Sequence, residues 1–144
     1  MVFNLQRYAD RKKLEQHLDR YRYGLCAEFA VALHRLTGWP LGAFYDTEKD
    51  KEDGTEYTGL SHAFVTHPSG KIVDCYGLRD KAYVRQCCEA GLKTFMGVGD
   101  DHYITEQAVS ENDLENESME GIHQDIVQEA TQWILKNPAR YGIQ

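Results

Sequence analysis

Apolar residues recur along this chain with two different periods, and the change from one to the other sketches a fold. Leu5, Tyr8, Leu14 and Leu18 fall at partial helical spacing among charges, which predicts a helix over residues 4 to 20. Gly24 interrupts that pattern. A second helix is predicted from near Cys26, because Cys26, Phe29, Ala30, Leu33 and Leu36 form one apolar stripe. Gly38 suits its C-terminal cap, and Pro40 forbids continuation while holding Trp39 extended. Residues 41 to 46, LGAFYD, read as a short strand. Residues 47 to 59 are charged and punctuated by glycine, which predicts a solvated connector or a flap beside a site.

The clearest hairpin is LSHAFVTHPSGKIVDCYG, residues 60 to 77. Pro68, Ser69 and Gly70 supply a three-residue loop: proline presets φ near −65°, and glycine accepts the positive φ of a bulge. Residues 80 to 96 fit a short helix or a third strand, and VGDDHYITEQ reads as a turn and then a strand. Leu114, Met119, Ile122, Ile126, Ala130 and Trp133 give one long helical pattern over 111 to 136, with Gly121 inside it and Pro138 closing it. No repeat or low-complexity tract is present. The expectation is one α+β domain over residues 1 to 144, with an antiparallel sheet from about residue 41 to 105 packed on the Cys26 helix.

Composition narrows the function classes. The net charge is −7, which opposes broad nucleic-acid or membrane-surface binding, although Arg79, Lys81 and Arg85 could form a local basic patch. No apolar run approaches the ~20 residues of a membrane helix, and the N-terminus lacks the apolar core of a signal peptide. A cytoplasmic setting is expected, with an effector secreted by a non-standard route left open. The four cysteines, Cys26, Cys75, Cys87 and Cys88, form no C-x-x-C pair, so reduced thiols are expected.

The hairpin loop fixes a register, and the register carries chemistry. His67 should face Lys71 and Phe64 should face Asp74. His62, Phe64, Ile72, Asp74 and Tyr76 then share one face, and Ala63, Val65, Val73 and Cys75 the other. His62 and Asp74 become diagonal neighbours, so the carboxylate can set the imidazole tautomer and stabilise its charged form. Cys26, at a helix N-terminus just after Gly24, meets free backbone N–H groups and the positive end of the helix dipole. The same N–H groups can hold an oxyanion in acyl transfer. A nucleophilic thiol with a base supplied by the hairpin is the reading that joins the three residues.

The stretches YGLCAEFA, SHAFV and KIVDCYG, around Cys26, His62 and Asp74, resemble the papain-like and transglutaminase-like cysteine superfamily. The resemblance covers roughly residues 20 to 78. It implies a nucleophilic cysteine opening a helix that packs on an antiparallel sheet, with the histidine and the aspartate on successive strands. It implies attack on an amide bond without a cofactor, in a protease, deamidase or transglutaminase type of reaction; the family, which also includes peptidoglycan amidases and acyltransferases, does not fix the substrate, and a protein or peptide is the expected partner. Papain itself has a tryptophan after the nucleophile and a glutamine six residues before it. Here Ala27 and Arg20 stand there, so a second oxyanion donor is unassigned, with Gln16, Arg20 and Tyr23 as candidates. Tyr23 and Gly24 are the expected substrate-binding residues.

Other sites compete less well. A metal site drawn from His62, His67, Asp74 and Cys75 is disfavoured, because His62 and His67 point to opposite faces, as do Asp74 and Cys75. His102, flanked by Asp100 and Asp101, is a rival base. Glu28 is expected to face away from Cys26, as a solvated charge or bonded to a neighbouring loop. Tyr8, Tyr21 and Tyr23 fit either packing or a cleft wall. The alternative function is a non-catalytic binding or inhibitory protein on the same fold, such as a phage- or effector-type protein that occludes a partner.

Overall fold

The structure is a computed structural model that describes residues 13, 14, 16–19, 21, 25–50, 52–95, 102–118 and 120–144, with backbone only at 92–95. In chain order the elements are α1 (Cys26–Thr37), β1 (Leu41–Lys49), β2 (Glu56–Thr66), β3 (Ile72–Asp74), β4 (Gly77–Arg79), α2 (Lys81–Phe95), β5 (His102–Ala108), α3 (Glu111–Glu117), α4 (Gln124–Lys136) and a 3-10 turn (Pro138–Tyr141). The strands form one antiparallel sheet in the order β4-β3-β2-β1-β5. The fold is α+β, as the pattern predicts. No helix among the described residues is long and apolar enough to cross a membrane.

Helix α1 runs where its apolar stripe places it and ends on Gly38, whose φ of +74° lets its N–H reach the His34 carbonyl at 2.8 Å. Residues 26 to 33 of this helix are all buried, because α1 lies between the sheet and α4. Its core joins Phe29 and Leu33 to Ala63, Val65 and Val73 of the sheet and to Val127, Ala130, Ile134 and Tyr141. The opposite face of the sheet carries a smaller cluster of Phe44, Phe64, Ile72, Val84 and Ile104. There Gly42 pairs with Phe64, and a Cβ on Gly42 would stand 2.7 Å from the Phe64 ring. Only glycine lets that ring lie across β1.

The structure departs from the sequence expectations in three places and decides between two alternatives in a fourth. The connector expected over 47 to 59 is mostly strand, because Thr47, Glu48 and Lys49 pair with Thr58, Tyr57 and Glu56. Ladder bonds do not require burial, so charged residues tolerate them, and the loop shrinks to residues 50 to 55. Of the helix and the strand left open for residues 80 to 96, the helix forms, over residues 81 to 95, its first turn bonded by Asp80, which accepts from the N–H of Ala82 at 2.9 Å. The single helix expected over 111 to 136 is two helices. Ser110 and Asp113 form a capping box on α3, and Gly121 turns the chain at φ +76° before α4 begins. An additional strand, β4, follows a tight turn in which Asp74 pairs with Gly77. Of the helix expected over 4 to 20, the described residues 13, 14 and 16–19 are helical, and the remainder lies outside the described residues.

Candidate functional site

The hairpin has the register that its loop dictates. Val65 pairs with Val73 and Thr66 with Ile72, His67 donates its N–H to the Lys71 carbonyl at 2.9 Å, and Gly70 has φ +89°. The same register sets Asp74 level with Phe64 and diagonal to His62. The diagonal is closed by a hydrogen bond of 2.8 Å between His62 Nε2 and Asp74 Oδ2. Both side chains are buried. The β1–β2 register slips between Phe44 and Tyr45, which leaves Ser61 as the extra residue of a bulge beside His62.

Cys26 approaches from the helix side. β3 pairs with β2 only at Val65 and Thr66, so the strand edge at His62 is uncovered by β3. Cys26, the first residue of α1, lies near enough to the His62 ring there to act on its charge. Nε2 is engaged by Asp74, so an interaction with the thiol would have to use Nδ1. Residue Leu25 precedes α1 with no side-chain cap, so the N–H groups of the first turn are not claimed by an N-cap side chain.

Asp74 is surrounded by donors. Its Oδ1 accepts from the Tyr76 N–H at 3.0 Å and from Arg79 Nε at 3.1 Å, and its Oδ2 accepts from Arg79 Nη2 as well as from His62. Burial alone would raise its pKa, but the bonds from His62 and Arg79 outweigh that and hold the carboxyl below its usual range. Burial likewise opposes charge on His62. The bond to Asp74 and its charge, with Cys26 nearby, overcome it and push the imidazole up to about 9.

Of the sequence-predicted site residues, Cys26, His62 and Asp74 are brought together. Tyr23, Gly24 and Arg20 lie outside the described residues, as do Asp100 and Asp101, and Gln16 is exposed. Tyr8 also lies outside the described residues, while Tyr21 is packed against Phe29 with its hydroxyl on Glu129. Of the four residues considered for a metal, His62 and Asp74 bond each other while the other two are engaged elsewhere. His67 bonds Ser69 and the Gly142 carbonyl, and Cys75 sits in the core on the α1 side. His102 bonds Asp46 and lies four residues farther along β1 than His62, about 13 Å at strand spacing. Glu28 is not a solvated charge. It is buried and accepts from the backbone N–H of His123 at 3.4 Å.

Two residues at the site were missed by the sequence reading. Arg79 was visible only as part of a basic patch, because its approach to Asp74 depends on β4. Cys88, on α2, lies near Ser61, and burial pushes its thiol up. An i, i+4 pairing of Val84 and Cys88 on one helix face was the available signal for the latter.

No family model matches the chain, and no curated protein or solved structure matches it.

Proposed function

We propose that the protein is a cysteine-dependent acyl-transfer enzyme of papain-like or transglutaminase-like architecture, acting on amide bonds through Cys26, His62 and Asp74. The observation that carries this is one imidazole bonded to a buried carboxylate and also within reach of a thiol at a helix N-terminus. The Cys26 sulfur attacks the substrate carbonyl carbon, forming a C–S bond. The oxyanion is held by N–H groups of the first turn of α1, that of Cys26 first. The His62 imidazolium gives its proton to the leaving nitrogen, and the C–N bond breaks. Water or an amine then attacks the thioester carbonyl, His62 takes its proton, the C–S bond breaks, and the Cys26 thiolate beside the His62 imidazolium is restored. Asp74 holds the ring in the tautomer this needs. The expected substrate is a protein or peptide, and no step requires a cofactor.

A binding protein on the same fold is the second reading, favoured by the low exposure of Cys26 and His62, 8% and 6%. An activated ester separates the two. With p-nitrophenyl acetate, an enzyme gives a burst of p-nitrophenolate and an acetyl group on Cys26 by peptide mass mapping. Cys26→Ser removes both, and His62→Ala slows them about a hundredfold or more. A burst that survives Cys26→Ser, or no burst, overturns the enzyme reading.

A further inference from the structure

Asp74 has diagonal neighbours on both sides. His62 lies diagonal to it on β2, and Arg79, which pairs with Ile72, lies diagonal to it on β4. All three project on the face that carries Phe64 and Ile72. Arg79 forks the carboxylate, with Nε on Oδ1 and Nη2 on the same Oδ2 that His62 engages. Its guanidinium carbon stands 5.0 Å from the centre of the Tyr76 ring, and that residue's N–H takes the last place on Oδ1. The carboxylate thus has all four of its acceptor sites filled.

We propose that Arg79 is a positioning residue for this site: it aims Asp74 Oδ2 at the His62 ring and offsets enough of the Asp74 charge to keep the imidazolium a competent acid. This rests on the Cys26–His62–Asp74 reading. The physical need is plain. A buried carboxylate with no other partner would bind the imidazolium so tightly that it could not protonate a leaving amine near neutral pH. A second cation on the same oxygen repels the imidazolium and moderates that hold. The other groups near the pair are Cys26 from α1, Cys87 and Cys88 from α2, and Cys75 and Tyr141 from the α1 side. Arg140, beside Gly77 and Tyr141, is a second cation nearby, but among the described residues Arg79 is the one whose guanidinium bonds Asp74.

The test is the titration of the His62 ring by NMR in the full chain, compared with Arg79→Gln and Arg79→Lys. Arg79→Gln is expected to raise the His62 midpoint by about one pH unit, and Arg79→Lys, which keeps a charge, to leave it near wild type. A purely structural loosening would do the reverse, since admitting water returns the ring toward about 6.5. An unchanged or lowered midpoint in Arg79→Gln overturns the proposal. Should that variant not fold, Arg79→Lys decides alone: a midpoint that drops toward 6.5 overturns it, and one held near wild type supports it. A wild-type midpoint near 6.5 overturns the triad itself and the proposal with it, so the two failures are distinct.

Discussion

On the α1 side of the sheet, Ala63, Val65, Val73 and Cys75 meet Phe29, Leu33, Ile134 and Tyr141 in a continuous apolar core. On the other side, one residue out of step along the same strands, Phe64 and Ile72 share their face with His62, Asp74 and Arg79. Helix α2 covers this second face thinly: Val84 is buried, Cys88 is half-buried, and Tyr83, Arg85 and Gln86 are exposed. Strand alternation therefore divides the labour. One face carries stability and the other carries a charged network that the core could not hold. Among the described residues, the two meet where β3 stops short and Cys26, a member of the first core, comes near His62.

The largest effects should separate the faces. Cys26→Ser is expected to lower acylation by at least ~10³-fold while costing about 1 kcal/mol of stability. Phe29→Ala should instead cost about 4 kcal/mol, because Tyr21 and Tyr141 both lose the ring they pack on. Denaturant midpoints beside burst amplitudes read both quantities. Equal loss of stability in the two variants would dissolve the division.

The charged face should also announce itself in pH. Folded His62 stays protonated up to about 9, against about 6.5 in the unfolded chain. Between those values the folded chain holds the extra proton. Its stabilisation is full below pH 6.5 and is lost as pH rises through 9, on the order of 3 kcal/mol. Asp74 acts at the other end. Its carboxyl is held low, so its contribution is present above its unfolded pKa and is lost as pH falls through the folded one. Urea midpoints at pH 6 and 10 should differ in wild type and converge in His62→Gln. A decline of the same size in that variant would place the charge elsewhere.

Gly42→Ala forces a methyl against the Phe64 ring and should cost about 2 kcal/mol by thermal unfolding, with the acylation rate little changed. The smallest effect belongs to His102→Gln. Its partners are Asp46 and Glu48 on β1, so burst kinetics should match wild type and stability should move by about 0.5 kcal/mol. A large loss of acylation there would restore His102 as the base.

Much of this was legible along the chain, for local reasons. Pro68, Ser69 and Gly70 pin the hairpin, and with it the diagonal from His62 to Asp74. Gly38 and Pro40 mark the end of α1. What was not legible depends on contacts distant in sequence or on weak patterns. The bulge at Ser61 has no glycine to betray it. The shortness of β3 is set by a turn whose one signal is Gly77, and Arg79 gains its place only through that turn. Helix α2 buries so little that its periodicity is faint. The long helix over 111 to 136 failed at Gly121 because the apolar spacing continues across the break.

The most direct test of the central claim is the rate of iodoacetamide labelling at each cysteine, resolved by mass spectrometry, from pH 5 to 9. Wild type and His62→Ala would be compared. A thiol paired with the His62 imidazolium should label at Cys26 well ahead of Cys75, Cys87 and Cys88 below pH 7, and His62→Ala should erase that lead. A Cys26 that stays silent, or that labels alike with and without His62, would contradict the paired thiol and turn the search toward a binding partner.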